Sequence, residues 1–241
     1  MPAASSADLI GLRGGSRWRP ICYTNAMSAD LINREKALIF RITHRANVPW
    51  LTANGIHCAT SPMQDPAFRP IGNAELIGKR RHRALPPAYG GVLSDYVPFY
   101  FTPYSPMMYN IHTGYGGIEK QHNEDIVILV SSISRLGELG LPFVFSDRHA
   151  YLQAAQFSAN PDDLGWIDWG MLAARNFKRD PNDPSKFERY EAEALVRTHV
   201  PVETLIGIGC YSDKVTASVA AELTAGGTEV KARTRPGWYF P

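Results

Sequence analysis

Residues 95–103 read Asp-Tyr-Val-Pro-Phe-Tyr-Phe-Thr-Pro, the most unusual block in this sequence. Aromatic and β-branched residues are enriched in β-strands, so the block predicts a strand. Pro98 and Pro103 cannot donate a backbone hydrogen bond, which indicates a short strand or one at the edge of a sheet. Residues 104–109 follow with Tyr-Ser-Pro-Met-Met-Tyr and predict the start of a helix.

Further strands are predicted on both sides of this block. Residues 125–131 form an apolar run of strand length, which is typical of a central strand covered on both faces. Other predicted strands span residues 37–43, 141–145, 191–197, 202–209 and 228–232, and predicted helices span residues 47–55, 148–157 and 214–225. Residues 160–190 follow no regular pattern. Because helices do not alternate with the strands, the sequence predicts a mixed α+β fold.

Composition limits the class of protein. The 241 residues are 44% hydrophobic and 20% charged, with a formal net charge of +2. These values exclude a wholly disordered chain and give no overall charge that would attract nucleic acid. Residues 1–33 are expected to be a poorly ordered extension of one domain at residues 34–241.

The cysteines and the apolar runs indicate a cellular compartment. Cys22, Cys58 and Cys210 are widely spaced and include no CxxC pair, which is typical of a reducing environment. No apolar run reaches the roughly 20 residues that cross a bilayer. We therefore expect a cytoplasmic protein without a membrane segment.

Several catalytic motifs are missing. The sequence has neither the GxxxxGK[ST] loop nor the GxGxxG loop that bind nucleotide phosphates. It also lacks the HExxH motif of zinc enzymes and the GxSxG motif of α/β-hydrolases. His112 and His122 have no cysteine or carboxylate at ligand spacing, so no metal site is expected.

Three separated motifs remain: Arg-Ile-Thr-His at residues 41–44, the block at 95–109, and Ala-Glu-Ala-Leu-Val-Arg-Thr-His-Val-Pro at residues 192–201. In this order they resemble the DarT family of DNA ADP-ribosyltransferase toxins. The resemblance runs from about Arg34 to Phe240. In that family one strand ends in Ile-Thr-His and a late strand carries the catalytic glutamate.

The resemblance implies an ADP-ribosyltransferase-like fold, a split and twisted mixed β-sheet with NAD in its cleft and helices around it. It implies NAD-dependent mono-ADP-ribosylation of a base, guanine or thymine, in single-stranded DNA, with no metal. It also implies a toxin or phage-defence effector whose partner is a macrodomain antitoxin that removes ADP-ribose.

Glu193 matches the catalytic glutamate of the family. When the bond between nicotinamide and ribose breaks, the ribose becomes positively charged, and a nearby carboxylate stabilises it while binding the 2′-hydroxyl. Taken alone, Glu193 would more simply be an exposed strand carboxylate. The flanking motifs favour the catalytic interpretation.

Glu191 is predicted to lie on the same face of a strand as Glu193, because it precedes it by two residues. Many family members have glutamine here, and in related transferases this position helps to select the acceptor. A carboxylate only accepts hydrogen bonds. Glu191 would therefore suit guanine, which offers N–H donors, better than thymine.

His44 matches the NAD-binding histidine of the family, so the resemblance implies that NAD contacts the end of the first strand at Ile42, Thr43 and His44. Taken alone, His44 would more simply be a partly buried histidine with satisfied hydrogen bonds. The basic run at residues 79–83 corresponds to a family segment with an essential arginine. Arg80 and Arg81 are both candidates, with Arg83 behind them, and the alternative is a solvated run that contacts DNA phosphates without specificity.

Tyr104 stands where many relatives carry arginine, so a phosphate contact is expected to be lost or replaced by stacking on a base. The irregular segment before Glu193 combines cations with aromatic residues, as suits unstacked bases. Lys178, Arg189 and Tyr190 are its predicted DNA contacts, and the alternative is a solvated lid.

Two other functions stay open. The same cleft would also serve to modify RNA or protein, or the chain would be a nucleic-acid-binding module without catalysis. Glu193 and His44 argue against the second alternative, and release of nicotinamide from NAD would exclude it. A monomer is favoured, while the target base, its sequence context and the antitoxin stay open.

Overall fold

The computed structural model of the protein describes residues 31–241, so the predicted extension at residues 1–33 lies almost entirely outside the described residues. The strands within them are β1 (Leu38–His44), β2 (Ile56–His57), β3 (Tyr96–Tyr100), β4 (Ile126–Ser132), β5 (Phe143–Ser146), β6 (Phe157–Ser158), β7 (Glu193–Arg197), β8 (His199–Val200), β9 (Gly207–Cys210) and β10 (Ala232–Thr234). The α-helices are α1 (Val48–Asn54), α2 (Ala74–Arg80), α3 (Pro106–Thr113), α4 (Ile133–Glu138), α5 (Trp169–Ala173), α6 (Lys186–Tyr190) and α7 (Asp213–Ala225).

Eight strands form one open sheet in the order β10-β9-β4-β1-β3-β7-β5-β6. The pair β10 and β9 is parallel, and the other neighbours are antiparallel. β2 and β8 form a separate two-stranded sheet. The predicted mixed α+β fold is confirmed. No helix in the described part of the chain is long and apolar enough to cross a membrane.

The predicted central strand at residues 125–131 is β4, and all seven residues of β4 are buried. β4 pairs with β1 at seven positions, from Leu38↔Ser132 to His44↔Ile126, and with β9 on its other side. A strand covered on both faces needs apolar side chains at every position, which explains its continuous Ile, Val and Leu. This ladder is the stable centre of the sheet.

β3 is the strand predicted from residues 95–103, and it lies between β1 and β7 rather than at an edge. It is nevertheless short and incompletely paired: β3 pairs with β7 at five positions but with β1 only at Tyr100↔Phe40. The carbonyl of Pro98 accepts a hydrogen bond from the Arg41 side chain of β1. The backbone N and O of one strand residue point to the same neighbouring strand, so the nitrogen of Pro98 also faces β1. This nitrogen carries no hydrogen and cannot donate a hydrogen bond to β1. The sheet therefore splits beyond Phe40.

Local signals placed three helices correctly. α1 begins with Pro49 in its first turn and ends before Gly55, whose φ of +74° requires a residue without a Cβ. Ser105 caps α3 by accepting from the Met108 N–H, with Pro106 at the first position. The predicted helix at residues 214–225 is α7.

Residues 148–157 do not form the predicted helix but a series of turns that ends in β6. Their N–H groups bind side chains instead of helix carbonyls: Ala150 N–H donates to Glu193, and Gln156 N–H donates to Asp147. Such acceptors compete with helical hydrogen bonds. The strands predicted at residues 191–197, 202–209 and 228–232 begin later than expected, as β7, β9 and β10.

Candidate active site

A cavity of about 300 Å³ lies at the split of the sheet, which is a size typical of small ligand sites. Residues of β1, β3 and β7 line the cavity, together with residues of α2 and of the segment before it. Its charged lining side chains are Arg41, Asp65, Arg80 and Glu193. No group of three or more His, Cys, Asp or Glu side chains within residues 31–241 could hold a metal ion.

Glu193 is the first residue of β7, and its side chain is only 3% exposed. Arg80, at the end of α2, binds both carboxylate oxygens, with Nη1···Oε1 at 3.0 Å and Nη2···Oε2 at 2.8 Å. The Ala150 N–H donates to Oε1 at 3.2 Å. A carboxylate has about four lone-pair positions. These contacts leave one of them for a hydroxyl group of a ligand in the cavity.

The Arg80–Glu193 pair is ionised at neutral pH. Burial by itself would raise the pKa of Glu193, but the neighbouring Arg80 guanidinium outweighs burial, and the pKa lies below its ordinary value. The same holds for Arg80: burial alone would lower its pKa, but the negative charge of Glu193 outweighs burial and raises it. A fixed carboxylate shielded from water can stabilise positive charge that develops on a bound sugar.

The structure distinguishes the candidate arginines of residues 79–83. Arg80 is the last residue of α2 and contacts Glu193. Arg81 caps the helix and is exposed, outside the cavity lining. Arg83 donates from Nη2 to the Leu152 carbonyl at 3.0 Å. Which arginine contacts Glu193 depends on where α2 ends relative to β7, and the sequence of basic residues alone does not reveal this.

The predicted NAD-binding residues of β1 fall into two groups: Ile42 and Thr43 line the cavity, and His44 does not. Thr43 Oγ1 accepts from Asn47 Nδ2 at 3.0 Å. His44 is 7% exposed, and its Nδ1 accepts the Ala46 N–H at 3.1 Å. Burial lowers the pKa of His44, so the ring is neutral at pH 7 and carries its proton on Nε2.

Glu191 does not lie in a strand, since its φ of −95° and ψ of 26° belong to the turn after α6. The prediction that Glu191 and Glu193 share a strand face is therefore wrong, because β7 starts only at Glu193. Burial, and then the charge of Glu193, raise the pKa of Glu191 to about 8. At neutral pH this carboxyl group is mostly protonated and can donate a hydrogen bond. The prediction that Glu191 favours guanine assumed an ionised carboxylate, so it is no longer supported.

Two of the predicted DNA contacts are engaged within the protein. Tyr190 is 1% exposed, and its hydroxyl donates to the Tyr104 carbonyl at 3.0 Å. The prediction that Tyr190 contacts DNA is wrong, because this ring belongs to the core. Arg189 binds Asp183 at 2.8 Å and approaches Asp168 at 3.5 Å. Arg189 thus ties the segment before β7 together and is not a free cation.

Tyr104 and Lys178 also lie outside the cavity lining. The Tyr104 ring packs on Phe240, with 3.9 Å between ring centroids, and the Arg175 guanidinium lies 5.3 Å from the Tyr104 centroid. The prediction that Tyr104 stacks on a base is wrong in this structure, because protein groups already cover the ring. Lys178 is exposed and remains available to solvent.

Sequence reasoning missed His149 and Tyr100, which both line the cavity. His149 Nδ1 lies 3.7 Å from Glu193 Oε1 and accepts the Tyr151 N–H at 3.2 Å. Burial lowers the pKa of His149. Tyr100 pairs directly with Glu193 across β3 and β7. The position of His149 just after the predicted strand at 141–145 could have indicated a site residue. The incorrect prediction of a helix at residues 148–157 concealed it.

Solved structures share this architecture. The DarT of Thermus sp. 2.9 in complex with ADP-ribosylated ssDNA matches with a TM-score of 0.76 and 33% identity, covering 86% of this chain and 97% of that chain. The complex of the same DarT with NAD+ matches with a TM-score of 0.74 at 33% identity, covering 86% and 98%. The fold is thus that of the ADP-ribosyltransferases, as the resemblance implied.

Sequence comparison makes the assignment more specific. The family described as "DarT: ssDNA thymidine ADP-ribosyltransferase" matches residues 40–240. A DNA ADP-ribosyl transferase of Escherichia coli is 50% identical over 209 residues, which are 87% of this chain and 96% of that protein. The chain belongs to the DarT family.

Proposed function

We propose that this chain, an NAD-dependent DNA ADP-ribosyltransferase by its family, transfers one ADP-ribose from NAD to a thymine base of single-stranded DNA. The observation that carries the proposal is the buried Glu193 carboxylate in the cavity wall, held ionised by Arg80 and the Ala150 N–H. The DarT family is described by this substrate. A relative with 33% identity has been solved with NAD+ and with ADP-ribosylated ssDNA.

The transfer breaks the bond between ribose C1′ and the nicotinamide nitrogen and forms a bond between C1′ and a nitrogen of the base. Nicotinamide leaves with the bonding electron pair, and the base gives up one proton. Glu193 stabilises the positive charge on the ribose, and its free lone-pair position accepts the 2′-hydroxyl. Arg80 holds the carboxylate in its orientation through two parallel hydrogen bonds.

In the part of the cavity lined by β1, Ile42 and Thr43 contact NAD. His44 acts as a positioning residue, because its bond to the Ala46 N–H fixes the turn between β1 and α1. A protonated Glu191 is compatible with thymine as the acceptor base. Its protonated carboxyl group both donates and accepts, as the amide of a glutamine does, and thymine offers one N–H donor beside two carbonyl acceptors.

The biological role follows from the family resemblance. By this resemblance the chain acts as a toxin or phage-defence effector, and its partner is a macrodomain antitoxin that removes ADP-ribose. Exposed Lys178 is the member of the predicted DNA-contacting set whose charge remains available for a phosphate.

Mass spectrometry of nucleic acids incubated with the protein and NAD tests the proposal. Four single-stranded DNA oligonucleotides, each lacking one base type, are compared with an RNA of matched sequence and with the DNA duplex. We expect one ADP-ribose on every single strand that contains thymine and none on the strand without it. Modification of the RNA alone would favour RNA as the acceptor. Absence of nicotinamide release with every nucleic acid would contradict catalysis.

A further inference from the structure

Arg41 is a partly buried cation of the cavity wall that the proposed mechanism does not use. It lies in β1 at the split of the sheet, and it lines the same cavity as Glu193. Its Nη1 donates to the Pro98 carbonyl at 2.9 Å. Within the described residues 31–241, no carboxylate lies within 4.0 Å of its guanidinium.

The charges around Arg41 differ from those around Arg80. Arg80 has Glu193 as its partner, whereas Arg80, a like charge, acts on Arg41 by lowering its pKa. Burial, and then Arg80, lower the pKa of Arg41 to about 10, so it stays charged at neutral pH. Asp65, the other carboxylate of the lining, uses Oδ1 to accept the Ala67 N–H at 2.8 Å. A cation withdrawn from water without a counterion is costly, which favours binding of an anion.

The position of Arg41 also determines where an anion would bind. Its Nη1 replaces the backbone donor that β1 would offer Pro98 if the two strands stayed paired. A guanidinium carries five N–H donors in a planar fork. The Pro98 contact uses one of them, and a phosphate can take two others at once.

We propose that Arg41 binds a phosphate group of the bound substrate at the point where β1 and β3 separate. The inference rests on the proposed function, which brings two sources of phosphate to the cavity, the diphosphate of NAD and the backbone of single-stranded DNA. Arg41 thereby has two roles: its side chain donates to the Pro98 carbonyl where the strands separate, and it binds an anionic group in the cavity that Glu193 also lines.

Binding measurements on Arg41→Gln and Arg41→Lys test this assignment. Glutamine keeps an N–H donor for Pro98 but removes the charge, and lysine keeps the charge but removes the fork. Lys214→Gln is the matched control, because it removes an exposed charge of α7, which lies outside the cavity lining. The first arm measures affinity for carba-NAD+, an unreactive analogue, without DNA. The second measures affinity for a thymine-containing oligonucleotide in saturating carba-NAD+ at several salt concentrations.

We expect Arg41→Gln to weaken one arm by about tenfold or more, as for loss of a charge-assisted hydrogen bond, and Arg41→Lys to fall between it and the parent. Weakening of carba-NAD+ identifies the diphosphate. Weakening of the oligonucleotide, with a salt slope reduced by about 1, identifies the DNA backbone. Parental affinity of Arg41→Gln in both arms, at an unchanged melting temperature, would overturn the assignment. In that case transfer by the parent chain would show that the proposed function itself still holds.

Discussion

Along one edge, β1 pairs with β4 at seven consecutive positions, from Leu38 to His44. Along its other edge it pairs with β3 at one position, Phe40↔Tyr100. The first edge faces a strand of continuously buried Ile, Val and Leu, whereas the second faces Pro98 and is bridged by the Arg41 side chain. β1 therefore has an apolar, fully paired side towards β4 and a polar, mostly unpaired side towards β3.

The comparison shows how a stable sheet accommodates a polar cleft. The complete ladder with β4 holds β1 in place, so the incomplete ladder with β3 is tolerated and leaves space for the cavity. The charged side chains Arg80, Glu193 and Arg41 line that space. Substitutions on the two edges should therefore have separable effects on catalysis and on stability.

Replacing Glu193 by glutamine should have the largest effect on catalysis. The amide keeps the shape of the side chain but removes the charge opposite the developing cation on the ribose. We expect transfer to single-stranded DNA to fall by about 10² to 10³-fold, measured as nicotinamide release. Glu203→Gln, an exposed carboxylate far from the lining, is the control and should keep parental activity. Activity of Glu193→Gln within tenfold of the parent would contradict the proposed role.

Leu129→Ala addresses the complete edge. Leu129 is fully buried in β4 opposite Arg41, and its truncation leaves a cavity. We expect the free energy of unfolding to fall by about 3 kcal/mol in urea titration, while the folded protein keeps its affinity for carba-NAD+. Leu139→Ala, at an exposed position, should change stability little. A loss of carba-NAD+ affinity equal to that of the Arg41 variants would show that the two edges are not separable.

Arg80→Lys and Arg81→Lys compare neighbouring arginines. Lysine cannot form the two parallel hydrogen bonds that Arg80 makes to Glu193, so Glu193 loses its fixed orientation. We expect transfer to fall by about ten- to thirtyfold for Arg80→Lys, as for one charge-assisted hydrogen bond. Arg81→Lys keeps an exposed charge and should act like the parent. Equal effects of both substitutions would mean that the run of basic residues acts only as a whole.

The pH dependence of Glu191 should give the smallest effect. Its carboxyl group loses its proton as pH rises through about 8, and the parent then lacks a donor that Glu191→Gln retains. We expect transfer to thymine by the two proteins to agree at pH 6.5 and to differ by about two- to tenfold at pH 9. Identical pH profiles would exclude Glu191 from acceptor binding.

The same group predicts a trend in stability. A raised pKa means that the folded state holds a proton that the unfolded state releases. The free energy of unfolding of the parent relative to Glu191→Gln should therefore decrease as pH rises from 4.5 towards about 8. Urea titrations at both ends of that window measure the difference, and a constant difference would contradict the raised pKa.

The fold was largely predictable from local patterns, whereas much of the site was not. The buried run of β4, the helix that starts within residues 104–109 and the helix predicted at residues 47–55 each follow from neighbouring residues, and the structure confirms them. The turns at residues 148–157 instead depend on Glu193, which is distant in sequence. Burial of Tyr190 and pairing of Arg189 likewise depend on how α6 packs, and no local pattern contains that information.

The helix that bears Arg80 has a further consequence for behaviour in acid. None of the residues of α2 is buried, and the ion pair between Arg80 and Glu193 joins the end of this helix to the sheet. The pKa of Glu193 is lowered in the folded protein, so this attachment is at full strength above the ordinary pKa of a glutamate and is lost as pH falls through the lowered value. Acidification should therefore loosen α2, which lines the cavity, while the β1–β4 ladder stays intact, so that loss of catalysis and loss of the substrate's enclosure occur together.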